Sequence, residues 1–427
     1  MLSGSCWPEP AQQVDGTTNQ GIADRTAQPH NHRVTRTRLA ILGSTGSIGT
    51  QALSLLPDFA DRFEVVCLQA RSQVGLFVEQ ISRWQPRSAC LTDVAKPPPG
   101  LPRNTNFFTG AKGVLEALTD AAPDVVINAI TGAAGLPASE WTLQHGKRLL
   151  LANKESLVMA GAHLMPLVAK HGGSILPIDS EHCAIHQCLH GEQRSSVRRI
   201  WLTGSGGPFR QRPLDTFATI SPAEALCHPT WNMGPRITIG SASMMNKAFE
   251  IIEAYWLFGL TIDQIKVVIH PQSIVHSMVE FIDGSMLAQC GLPDMRVPIL
   301  YCLGFPSRLP FDFQPFDPTR WRSLEFTTVE PARYPAIELA FEVLRRGGDS
   351  GAVLNAADEE LTRMFLAGTI PFTAIAEIAT RILQDRSPRP IHSLACVIAA
   401  DAEGRNAATA LVASAYANDL HNKPPAR

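Results

Sequence analysis

Asp179 and Glu181 stand two residues apart around Ser180, directly after the apolar run ILPI. Two readings compete. As a helix start, Asp179 or Ser180 would cap free amides, and Glu181 would sit well in the first turn. As a metal site, two carboxylates pointing the same way in extended chain would reach one hard cation, given a third ligand from elsewhere. The segment SASMMNKAFEIIE, residues 241–253, offers one. On a helix, Asn246, Glu250 and Glu253 share a face, with Lys247 beside it and Phe249, Ile252 and Trp256 on another. A solvated surface has the same pattern. Set beside two more carboxylates and an anion-binding turn, Glu250 becomes the candidate third ligand.

Four further motifs stand at the ends of apolar runs. Gly43, Gly46 and Gly49 in GSTGSIG form a G-x-x-G-x-x-G turn between a strand and a helical pattern, where backbone amides could approach a dinucleotide pyrophosphate. A tight strand-to-helix turn without ligand is the plainer reading. Arg71-Ser72-Gln73 ends the second strand with an arginine where NAD sites usually place an acid, which favours a 2′-phosphorylated cofactor; a plain surface arginine fits as well. Asn153-Lys154-Glu155-Ser156 follows RLLL; Lys154 could meet an anionic or hydroxylated substrate, and a plain helix start fits as well. Thr203-Gly204-Ser205-Gly206-Gly207 could form an anion nest with Ser205 donating.

The elements that must position these groups follow from periodicity. RLAIL, FEVVCLQA, VVINAI and RLLLAN alternate with helical stretches, so residues 37–179 read as a Rossmann-like, doubly wound parallel sheet. Residues 180–304 read as a central α/β catalytic domain with an open sheet, built from VRRIWLT, KVVIHP and a hairpin turning at Asp283-Gly284. The proline- and aromatic-rich stretch 305–330 reads as a linker, and residues 331–420 as a helical bundle. Residues 1–36 lack the apolar core of a secretory signal and read as a disordered leader; plastid targeting is the alternative.

Composition excludes whole classes of function. At 427 residues the chain needs two or three domains, and 45% apolar with 18% charged residues is globular. A net charge of −2 leaves no electrostatic footprint for nucleic acid or anionic membrane. No apolar run approaches the ~18 to 20 residues of a membrane span. Nine cysteines without metal-ligand spacing indicate a reducing compartment, with Cys183 and Cys188 read as buried thiols.

The order of LGSTGSIG, LLLANKESLV, LPIDSEH, LTGSGGPFR, HPTWNMG, SASMMNKAFEIIEA and IHPQSIVHSMV closely resembles the 1-deoxy-D-xylulose 5-phosphate reductoisomerase family, from about residue 38 to the C-terminal helices. LANKES, DSEH and MMNK in this order are far more specific than a glycine turn. The resemblance implies Asp179, Glu181 and Glu250 as ligands of Mg2+ or Mn2+. It implies Ser180, Lys154 and Glu181 at the reacting hydroxyls; deprotonation there needs a positioned base, for which Glu181 is the candidate. Ser205, Ser241, Asn246 and Lys247 would bind the phosphate, with His228 nearby. Thr45, Gly46, Ser47, Ile48, Asn153, Glu155, Gly234 and Met295 match NADPH positions. Residues 227–234 match a flap whose Trp231 would cover the substrate. A homodimer in the bacterial cytoplasm is also implied.

Two departures touch no catalytic group. Relatives often carry Gly-Lys-Asn where this chain has Arg71-Ser72-Gln73, and some have an acid or amide at Gly240. The implied chemistry suits the residue types. A hydroxyketone must break and remake a carbon–carbon bond through an enediolate or similar oxyanion, whose charge a divalent cation stabilises, before hydride reduces the rearranged aldehyde. Two rival readings are a metal-dependent NADP dehydrogenase of another phosphorylated hydroxy acid and a catalytically inactive sugar-phosphate-binding protein. The intact set Asp179, Glu181, Glu250 and Lys154 speaks against the inactive one.

Overall fold

The structure, a computed structural model, describes residues 35–227, 234–321 and 323–420. Its N-terminal sheet has seven parallel strands: β1 (Thr37–Leu42), β2 (Phe63–Ala70), β3 (Ser88–Leu91), β4 (Asn106–Thr109), β5 (Val125–Asn128), β6 (Arg148–Leu151) and β7 (Ser174–Pro177). They run in the order β4-β3-β2-β1-β5-β6-β7, so the winding reverses between β1 and β5. Ligands of such sheets bind outside the carboxyl ends at this reversal. The glycine turn after β1, Lys154 after β6 and Asp179 after β7 all lie along that edge. Helices cover both faces, so the apolar run of β2 is buried continuously from Val65 to Ala70.

The second sheet has the order β11-β10-β8-β9, from β8 (Val197–Gly204), β9 (Ile265–Ile269), β10 (Val275–Phe281) and β11 (Met286–Cys290). Strands β8 and β9 are parallel and the other two pairs antiparallel. The hairpin turns at Asp283-Gly284. Ser285 N donates to Asp283 Oδ1 at 2.9 Å, and Gly284 takes a φ of +89° that suits glycine alone. Met286 and Leu287 on β11 stay largely exposed. The 305–330 stretch is mostly irregular; Ile269 and Thr327 exchange two backbone hydrogen bonds of 2.9 Å, so it runs along the β9 edge.

Four helices end the chain: Pro335–Arg346, Ser350–Leu366, Ala374–Gln384 and Leu394–Leu420. They are not a separate core. Leu354 and Phe365 share one apolar cluster with Leu157 of the helix Glu155–His171 and Ile251 of the helix Met245–Phe258. A Cβ on Gly351 would stand 2.0 Å from Val158 O, so glycine lets these two helices touch. The helix Arg296–Gly304, read from sequence with the central domain, packs Ile299 and Cys302 into the core beneath β1 and β2. Among the described residues no helix is long and apolar enough to cross a membrane.

Candidate metal and substrate site

Asp179 takes the N-cap position of the helix Ser180–Cys188, but its carboxylate caps no amide. It forms an ion pair with Lys154 Nζ instead. The backbone thus follows the cap reading while the side chain is free for the other one. Glu181 stands in the first turn of the same helix. Glu250 comes from the middle of the helix Met245–Phe258 and is fully buried, as is Glu253. The polar face of that helix is therefore an interior face, not a solvated one. One oxygen each from Asp179, Glu181 and Glu250 lies within 4.8 Å of the others. An all-carboxylate set of this size suits a hard divalent cation.

Charge makes the same point. Lys154 Nζ also lies 3.4 Å from Glu250, while Lys247 Nζ is 2.6 Å from Glu181 and pairs with Glu250. Four carboxyl groups, counting Glu253, thus share two ammonium groups, and Glu253 pairs with neither. Burial and the Glu181 charge push Glu250 up to about 8 against the pull of both lysines. Glu253 is raised well above the carboxylate range by burial and Asp179. Burial would raise Glu181 too, but Lys247 and Ser180 outweigh it and hold it down at about 2. Burial would lower both lysines, yet their acidic neighbours keep them raised and charged. A divalent ion could displace the proton that Glu250 holds and bind it together with the two ionised carboxylates, so the residues fit one.

His182 and Glu253 complete the floor, and neither received a role from sequence. Burial pushes His182 down to about 4, so it is neutral; its Nε2 donates to Glu250 O at 2.8 Å and its Nδ1 lies 3.4 Å from Glu253 Oε2.

A cavity of about 400 Å³ opens above the carboxylates. Ser47, Ile48, Lys154, Ser180, Ser205, Gly234, Ser241, Asn246, Lys247 and Met295 line it, together with the ligand candidates. His276 and Met244 line it also and were missed; His276 stands on the face of β10 opposite to the buried Val275, Ser277, Val279 and Phe281, so alternation alone did not mark it. Asn246 donates to Glu250 Oε1 at 2.7 Å. A Cβ on Gly207 would stand 2.9 Å from Ser241 O, so the Ser205 turn lies against the helix Pro235–Ala242.

The glycine turn ends in a helix, Ser47–Leu55, whose first amides no side chain caps. Two buried glutamines shape it: Gly43 N donates to Gln69 Oε1 at 2.9 Å, and Ser44 Oγ donates to Gln80 Oε1 at 2.7 Å. Thr45 and Gly46 precede the lining residues Ser47 and Ile48. Arg71, Ser72 and Gln73 lie off the cavity wall; the exposed Arg71 pairs with Asp93, which follows β3, at 2.7 Å. Asn153 and Glu155 also lie behind the wall, in a hydrogen-bonded network. His228, Trp231 and most of 227–234 fall outside the described residues.

The family described as 1-deoxy-D-xylulose 5-phosphate reductoisomerase matches residues 39–161, and its C-terminal domain descriptions match 175–258 and 290–407. A reductoisomerase of that name from Anaeromyxobacter dehalogenans is 46% identical over 378 residues, 87% of this chain and 96% of the relative. The chain belongs to the 1-deoxy-D-xylulose 5-phosphate reductoisomerase family. Another such enzyme, from Geobacter metallireducens, is 43% identical over 379 residues, 88% of this chain and 99% of its own. A crystal structure of DOX-P reductoisomerase in complex with NADPH, fosmidomycin and magnesium superimposes with a TM-score of 0.82 at 37% identity, over 88% of this chain and 98% of that one. The Zymomonas mobilis reductoisomerase in complex with NADPH gives 0.82 at 39% identity, over 89% and 100%.

Proposed function

We propose that this chain rearranges 1-deoxy-D-xylulose 5-phosphate and reduces the product with NADPH to 2-C-methyl-D-erythritol 4-phosphate, for isoprenoid precursor biosynthesis, with Asp179, Glu181 and Glu250 holding the divalent metal. The convergence of these three carboxylates from two helices and a strand end carries the site assignment. Mg2+ has its precedent in the magnesium complex of a 37% identical relative, and Mn2+ shares its preference for oxygen. When bound, the ion supplies Lewis-acid stabilisation of charge on the substrate oxygens.

The protein groups divide the remaining work. Lys154 and Ser180 orient the reacting hydroxyls, and Ser205, Ser241, Asn246 and Lys247 receive the phosphate. Ser47 and Ile48 offer their amides to the pyrophosphate, while Met295 and Gly234 face the nicotinamide. Glu181 is the proposed proton acceptor. A carboxylate held near 2 is a weak base, so this role requires Lys247 to turn from Glu181 toward the phosphate as substrate binds. The phosphate would then raise the basicity of Glu181 only in the productive complex. The roles of His228 and Trp231 rest on the HPTWNMG pattern alone. The exposed Met286 and Leu287 of β11 support a homodimer covering the second sheet, and bacterial relatives support a cytoplasmic location.

The test is NADPH oxidation with 1-deoxy-D-xylulose 5-phosphate after chelation, then with Mg2+ or Mn2+ restored, with the product identified by mass and NMR. Loss of NADPH without the branched product would leave a simple dehydrogenase. Turnover indifferent to metal would remove the site assignment.

Arg71 gives a smaller prediction. Its ion-pair partner Asp93 is an acid beyond the end of β3 that β2 itself does not carry. Arg71→Ala should raise KM for NADPH by about five-fold and leave that for NADH unchanged, with the difference shrinking in high salt. Asp93→Asn should act in the opposite direction by freeing the guanidinium. Parallel movement of both cofactors' constants would make Arg71 a surface residue only.

A further inference from the structure

We infer that Arg236 is a positioning residue that locks the Lys154-bearing and Ser241-bearing helices to each other through the C-terminal bundle. This rests on the site assignment proposed above. Arg236 stands in the first turn of the helix Pro235–Ala242, five residues before Ser241, and its side chain is 20% exposed. Nη1 lies 3.1 Å from Glu155 Oε1 and 3.0 Å from Glu359 Oε1. Nη2 donates to Asn355 Oδ1 at 3.1 Å and reaches Asp358 Oδ2 at 3.5 Å. One planar fork therefore touches two parts of the protein at once. Glu155 opens the helix whose N-cap is Lys154, and the other three partners belong to the bundle helix Ser350–Leu366.

The contacts continue toward the β5 end of the sheet. Glu359 Oε1 also accepts from Ala133 N at 3.0 Å, and Asn153 Nδ2 joins Glu155 Oε2 at 3.0 Å to Gly132 O at 2.9 Å. A Cβ on Gly132 would stand 2.6 Å from Arg236 Nη1, so this loop is seated directly on the guanidinium. Only a guanidinium can span these acceptors, since a lysine offers one point charge where two nitrogens are needed. Helix bundles need no buried charge to pack, and an unpaired one is costly. The network sits where the cavity's two walls meet the bundle, which gives it a function in setting their spacing.

The experiment compares Arg236→Met, Arg236→Lys and a control, Arg386→Met, in the full-length protein. Arg386 makes a similarly buried pair with Asp349 at 2.8 Å, within the bundle and away from the cavity. Steady-state constants, thermal midpoints and NADPH affinity by protein fluorescence are measured for each. Because both cavity walls would lose their common anchor, Arg236→Met should raise KM for both substrates by about ten-fold, while kcat falls about three-fold or less. NADPH Kd should rise in step. Arg236→Lys should recover thermal stability but only part of the KM loss. Arg386→Met should lower the midpoint and leave both KM values unchanged. If Arg236→Met or Arg236→Lys loses stability like the control with KM and NADPH Kd unchanged, the network is structural only and the inference fails. Should Arg236→Met not fold, the lysine variant decides alone. Absence of turnover in the unmodified chain would count against the proposed function instead, and the NADPH titrations would still judge Arg236.

Discussion

Glu250→Gln is expected to reduce turnover by about 10²- to 10³-fold, the cost of removing one preorganised charge from a catalytic site, while NADPH binds as before. The substitution keeps the shape of the side chain and its bond from Asn246 Nδ2, which an amide oxygen accepts equally well. What it removes is one of three carboxylates. The same variant predicts a change in stability against pH. In the metal-free fold Glu250 is pushed up to about 8, above its ordinary value of 4.5. The folded chain therefore binds a proton that the unfolded chain lacks between those values. Its contribution to stability is full below the unfolded value and is lost as pH rises through about 8. Glutamine cannot ionise, so the fall in thermal midpoint between pH 6 and pH 9 should be smaller in the chelated variant than in the chelated parent. Added Mg2+ should stabilise the parent at pH 9 and the variant much less. Near-parental turnover at low magnesium would show that Glu250 is not a ligand.

How much of this was legible in the sequence depends on how local each cause is. The parallel sheet was readable because β1, β2, β5 and β6 are buried apolar runs set between helical patterns. Strands β3 and β4 escaped because SACL and NFFT mix polar and small residues into the run, whereas the equally short β5 and β6 are mostly aliphatic. The hairpin at Asp283-Gly284 was readable because the turn makes its own hydrogen bonds. At the candidate site, Asp179 and Glu181 on their own read first as a helix start and only second as ligands, since both readings place an acid there. Only the position of Lys154, supplied by another strand end, shows where the Asp179 carboxylate goes. The burial of Glu253 and its meeting with His182, like the pairing of Arg71 with Asp93, depend on which elements become neighbours. Residue spacing along one helix carries no such information. Arg236 was invisible for the same reason: its partners stand 81 and 119 residues away.

Lys247→Met should produce two effects that respond oppositely to ligands. In the metal-free fold Lys247 sits between Glu181 and Glu250 and is nearly inaccessible to solvent. Removing one partner of a buried ion pair costs about 3–5 kcal/mol, because the acids left behind have no counter-charge. The chelated variant should therefore unfold at a clearly lower temperature, and Glu181 should lose the main influence that holds it near 2. Mg2+ should restore most of this stability, since a cation bound by the same carboxylates replaces the missing charge. Substrate binding should not recover. A charged hydrogen bond to phosphate contributes about 1.5–3 kcal/mol, so affinity for the phosphorylated substrate should fall by ten-fold or more even at saturating Mg2+. The dephosphorylated analogue should bind the variant and the parent alike. Ser205→Ala separates the two roles: it should lose phosphate affinity without the metal-free destabilisation, because Ser205 pairs with no buried acid among the described contacts. Equal losses for the phosphorylated and dephosphorylated compounds in Lys247→Met would confine the lysine to charge balance, and Glu181 would then need another route to become a base.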